Sequence, residues 1–153
     1  MHEDLNPLDP QDREYAAIKL IAKIPTLAAI SYRTATGLPI VYPKKEYNYI
    51  ENFLYMLFSN PMEEFKISKE IVKAIDLILL LHADHEQNAS TSTVRIAASS
   101  FANPFACIAA GIASLWGPAH GGANEAVIEM LNDIGTKENI PAFIEDVKSY
   151  LSS

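Results

Sequence analysis

Apolar residues recur at helical spacing in segment after segment of this chain, and no segment alternates apolar and polar residues at period two over a useful length. That periodicity excludes a core built on sheets. It predicts an all-α helical bundle of seven or eight helices with short connections. Punctuation residues mark the boundaries. Asp9-Pro10 reads as an N-cap and first helical residue, with Gln11, Asp12 and Glu14 completing the first turn. Tyr15, Ile18, Leu20 and Ile21 follow at helical spacing, and Pro25 is expected to end this helix near Ile24. A second helix over residues 26–36 then stops at Gly37, and residues 38–42 run extended between helices.

Further along, residues 47–58 place Ile50, Phe53, Leu54, Leu57 and Phe58 on one face, and Asn60-Pro61 closes that helix. Ser68 caps a helix over residues 69–82, with Ile71, Ile75, Ile78 and Leu79 inward. Leu77 to Leu81 is apolar all round, so its end is expected deep in the core. Later helices are predicted over residues 90–99, 105–116 behind Asn103-Pro104, 124–134 up to Gly135, and 141–151.

Composition narrows the function classes. A net charge of -7 argues against a nucleic-acid platform, which needs clustered Lys and Arg. Cys107 is the one cysteine, so no internal disulfide can form, a reducing compartment fits, and Cys107 reads as a small buried hydrophobe. The first residues carry no basic segment followed by an apolar one, which speaks against a secretory signal. The apolar run over residues 104–118 is shorter than the roughly 20 residues of a membrane span. A cytoplasmic protein without membrane partners is the expectation.

Two stretches do not read as ordinary core. In the first, His82-Ala83-Asp84-His85-Glu86-Gln87-Asn88-Ala89-Ser90, a very apolar helix runs into two imidazoles, two carboxylates, two amides and a hydroxyl. Such groups entering a core are paired or functional. The bland alternative is a helix end with histidines on its last carbonyls, followed by a capped helix start. A metal site on His82, Asp84, His85, Glu86 and His120 fits poorly, because the spacing matches neither zinc-helix pattern.

The second stretch is Gly117-Pro118-Ala119-His120-Gly121-Gly122-Ala123-Asn124-Glu125. Gly121 and Gly122 would allow positive φ or a close approach to a ligand. A helix starting just after His120 would favour a neutral imidazole, able to donate a hydrogen bond to a developing oxyanion. The bland alternative is a surface turn with an incidental histidine.

Taken together, and with Phe105-Ala106-Cys107-Ile108-Ala109-Ala110-Gly111-Ile112-Ala113-Ser114-Leu115-Trp116 between them, these stretches resemble citrate synthase, in particular its bacterial, hexamer-forming branch. The resemblance runs from near the start to about Phe143. It implies a single partial domain over residues 1–153, the central part of the family's large helical domain, without the family's N-terminal region and small domain. The family condenses acetyl-CoA with oxaloacetate and water to give citrate and CoA, the entry to the tricarboxylic acid cycle. By resemblance, His120 is the catalytic histidine that stabilises the acetyl-CoA enol, His85 binds oxaloacetate, Ser90 orients the catalytic imidazole, and Asn88 lines the same pocket. His82 and Asp84 are then structural. No resident cofactor is implied, since acetyl-CoA is a substrate, and a homo-oligomer is expected.

The departures count as much. The family's second catalytic histidine, its aspartate base and its carboxylate-clamping arginines match no residue here; the arginines are Arg13, Arg33 and Arg95, none at a clamp position. The ending Tyr150-Leu151-Ser152-Ser153 differs from what usually follows, and Lys19 and Lys23 resemble only part of an NADH pocket. The expectation is a citrate synthase fragment inactive by itself. The alternative is a non-catalytic helical module, or a degraded gene product, that self-associates. Ala106, Ala109, Ala110 and Ala113 would allow close helix approach there.

Overall fold

The computed structural model describes residues 5–60, 62–84 and 86–151. Among them the chain forms seven α-helices, one short 3-10 turn and no strand, so the all-α expectation holds. The helices are α1 (Pro10–Ala35), α2 (Tyr49–Phe58), α3 (Lys69–Leu81), α4 (Ala89–Ser99), α5 (Pro104–Leu115), α6 (Gly121–Ile134) and α7 (Ile140–Leu151), with the 3-10 turn at Lys137–Asn139. Helix α1 packs on α2 and α5, α2 on α3, and α4 on α5.

The first correction concerns α1, which runs unbroken through Pro25 instead of ending near Ile24. Proline has no N–H, so the Ile21 carbonyl one turn earlier loses its helical donor. The Tyr49 hydroxyl, from the first residue of α2, donates to that carbonyl at 3.0 Å. A tertiary contact thus replaces the missing bond. The apolar set of Tyr15, Ile18 and Ile21 lies exposed, and the buried line of α1 is Ala16, Pro25, Ala29 and Arg33. At its end, Gly37 has φ +72°, Gly37 N–H donates to Thr34 O and Leu38 N–H to Arg33 O. That is the Schellman closure, which needs a left-handed residue.

Arg33 is 2% exposed and joins α1 to α2. Its Nη1 donates to the carbonyls of Met56, Leu57 and Ser59 at 3.2, 3.0 and 3.1 Å, and its Nε to Pro39 O. The guanidinium therefore satisfies the orphan carbonyls at the C-terminus of α2, where positive charge is also favoured. The start of α2 is equally well closed. Asn48 Oδ1 accepts from Glu51 N–H and Glu51 Oε2 accepts from Asn48 N–H, a complete capping box.

Helix α3 corrects a second expectation. Its Ser68 cap is present, but Ile71, Ile78 and Leu79, expected inward, are exposed, as are Leu80 and Leu81. Helix α3 packs chiefly on α2, and that contact leaves its apolar end exposed. Cys107, by contrast, is buried as expected.

Candidate active site

Helices α4 and α5 and the turn after α5 bring the two unusual stretches together. Asn88 is the N-cap of α4, its Oδ1 accepting from Thr91 N–H at 2.9 Å. Helix α4 therefore starts at Ala89, and Ser90 sits in its first turn. The same Asn88 Oδ1 accepts the Ser90 hydroxyl proton at 2.9 Å.

The chain leaves α5 through two tight turns, with Gly117 N–H donating to Ser114 O and His120 N–H donating to Gly117 O. His120 is the N-cap position of α6, which begins at Gly121, three residues before the expected start at Asn124. Gly121 and Gly122 are helical and neither has positive φ. What requires glycine at 121 is a close approach of the chain to itself, because a Cβ there would overlap the Leu115 carbonyl oxygen. Gly121, expected to help admit a ligand, instead lets α6 fold back against the end of α5.

This turn delivers the His120 imidazole to Ser90. His120 Nε2 and Ser90 Oγ are 2.9 Å apart across thirty positions of sequence, both residues half-buried. The distance lies within the range expected of a paired serine and histidine. With the single hydroxyl proton of Ser90 given to Asn88, its oxygen accepts from His120 Nε2–H. Rotating that hydroxyl toward the ring would place the imidazole proton on Nδ1 instead. The Asn88–Ser90–His120 chain is thus able to set which ring nitrogen donates outward.

A groove of about 370 Å³ beside the pair is lined by Ser90, Thr91, Val94, Arg95, Ile112 and Leu115. It lies between α4 and α5, next to the hydroxyl that holds the imidazole. Among the other expected residues, His85 lies outside the described residues. His82 is the C-cap of α3, and its Nδ1–H donates to Ile78 O at 2.7 Å, the structural use of a histidine at a helix end. Asp84 Oδ1 accepts from Glu86 N–H in a local turn, with Glu86 at φ +61°.

The fold and site define an all-α domain in which one helix start presents a histidine and another helix supplies the serine that holds it. Residues 2–150 match the family described as citrate synthase, C-terminal domain. Citrate synthase from Thermotoga maritima MSB8 is 31% identical over 100% of this chain, with a TM-score of 0.68. That from Pyrobaculum aerophilum is 41% identical over 84% of it, with a TM-score of 0.71. The enzyme from Thermoplasma acidophilum, in ternary complex with carboxymethyl coenzyme A and oxaloacetate, is 30% identical over 95%, with a TM-score of 0.76. The chain belongs to the citrate synthase family. It spans 38%, 31% and 36% of the length of those three chains.

Proposed function

We propose that this chain supplies the enol-stabilising part of a citrate synthase active site, for condensation of acetyl-CoA with oxaloacetate and water to citrate and CoA. The observation that carries the reading is the 2.9 Å hydrogen bond between Ser90 and His120, which nothing local in sequence enforces. In this role His120 donates from Nδ1 to the thioester oxygen as it gains enol character, while the Ser90 hydroxyl donates to Nε2 and fixes that tautomer. Asn88 holds Ser90 when the hydroxyl turns the other way. His85 binds oxaloacetate. A preorganised donor aimed at developing charge lowers the barrier because its bond strengthens in the transition state.

Proton abstraction from the acetyl methyl needs a carboxylate base, and the substrate dianion needs arginine partners. These match no residue among the 153, so we expect the isolated polypeptide to form no citrate from acetyl-CoA and oxaloacetate. Robust turnover by purified chain, free of host enzyme, contradicts this.

The finer features follow the same reading: a partial domain over residues 1–153, kinship with the bacterial hexamer-forming branch, a homo-oligomer, no resident cofactor, and a cytoplasmic location. No helix among the described residues is long and apolar enough to cross a membrane. The exposed apolar end of α3 favours one other role, a non-catalytic module that associates through such faces.

A further inference from the structure

We propose that Gly111 is a positioning residue for His120: by letting α5 lie directly against α4, it sets the length of the Ser90–His120 hydrogen bond. The proposal rests on the reading of that pair as the working part of the site.

Gly111 is buried in the middle of α5. A Cβ built on it would stand 2.6 Å from Val94 Cγ2, 3.5 Å from the Ser90 carbonyl oxygen and 3.9 Å from Ser90 Cβ. The added carbon would therefore be wedged between two residues one turn apart on the same face of α4, and one of them is Ser90. Comfortable carbon–carbon contact is about 3.5–4.0 Å, so the gap to Val94 is short by roughly 1 Å. Val94 cannot turn aside easily, because a β-branched side chain in a helix has one strongly preferred χ1. With Val94 held in that rotamer, the overlap is relieved by the two helices parting.

The two partners ride on different helices. Ser90 moves with α4. His120 moves with α5, because the Ser114–Gly117–His120 turn bonds and the close seating of Gly121 on the Leu115 carbonyl tie it to that helix. A separation of roughly 1 Å would stretch the 2.9 Å bond past the limit of a hydrogen bond. In a complete enzyme, misplacement on that scale reads as about 100-fold in kcat. Gly121 guards the other side of the same arrangement, but its overlap is with backbone, so no side-chain change can relieve it. The Gly111 contact is with a side chain and can be relieved, which makes it testable.

The experiment uses the full chain with ¹⁵N-labelled histidine, reading the His120 ring-nitrogen shifts by NMR, with His120→Gln as the assignment control. Ser90→Ala defines the signature of an unpaired Nε2. Gly111→Ala is expected to reproduce that signature. Val94→Ala combined with Gly111→Ala is expected to restore the wild-type one, because the second change removes the methyl group that the first one strikes. If Gly111→Ala does not fold, the double variant decides alone: a folded protein with the wild-type signature supports the proposal, and any other result overturns it. If Ser90→Ala shifts the ring nitrogens and Gly111→Ala does not, Gly111 has no positioning role, although the pair stands. If the double variant keeps the Ser90→Ala signature, the effect is general destabilisation and the proposal fails. If Ser90→Ala itself changes nothing, the pairing fails and the role of Gly111 falls with it.

Discussion

Arg33 shows how much of this molecule hangs on single side chains. Its guanidinium bonds four backbone carbonyls, three of them at the end of α2, from a position 2% exposed. Replacing it with leucine leaves those carbonyls without their donor, and hydrogen bonds to a charged group are the stronger kind. Arg33→Leu is expected to cost about 3 kcal/mol in chemical denaturation. Arg33→Lys should recover little, since an ammonium cannot reproduce the planar fork. A loss within about 0.5 kcal/mol, the range of an ordinary surface change, would show that the buried cation is dispensable. Nothing in the sequence singles Arg33 out, because its α2-end acceptors lie twenty-three to twenty-six positions away. His120 and Ser90 are legible for a different reason: their neighbours form motifs dense in glycine, imidazole and hydroxyl groups that no core helix needs. Gly111 is not, since its neighbour across the helix pair is visible only once α4 and α5 are docked.

At the scale of elements, capping chemistry is legible and long-range repair is not. Asp9, Ser68 and Asn103 all act as N-caps where the sequence places them. The local rule for proline makes Pro25 a break, yet α1 continues because Tyr49 serves the orphaned Ile21 carbonyl from twenty-eight positions away. Tyr49→Phe removes that donor and is expected to cost about 1 kcal/mol, with fraying centred on Pro25 seen as faster amide exchange. Unchanged exchange around Pro25 would mean the carbonyl finds another partner. The phenol also carries a pH signature. Partial burial of Tyr49 raises its pKa above the ordinary 10.0. A raised folded value means the neutral form is favoured by folding, so this contribution is fully present below pH 10.0. It is lost as pH rises through the higher folded value, and Tyr49→Phe should abolish that alkaline dependence. The α6 start shows the opposite limit: Gly121 and Gly122 have the composition of a flexible turn, yet both are helical, and Gly121 seats α6 tightly against the end of α5.

For the whole molecule, the helical class is legible because periodicity is a property of each segment, whereas burial depends on what packs against it. Leu80 and Leu81 on α3, Trp116 beyond α5, and Tyr150 and Leu151 on α7 are 69%, 62%, 90%, 82% and 79% exposed. That much uncovered apolar surface favours association. Sedimentation at micromolar concentration is expected to give oligomers, and Leu80→Glu with Leu81→Glu should shift them toward monomer. A compact monomer in the unaltered chain would contradict this. The functional account reaches furthest through His120. In a complete citrate synthase carrying these residues, His120→Ala should lower kcat by about 100-fold or more while oxaloacetate affinity changes far less, because the bond it removes strengthens only as the thioester oxygen gains charge. An unchanged kcat, or a loss confined to oxaloacetate binding, would contradict the role assigned to His120.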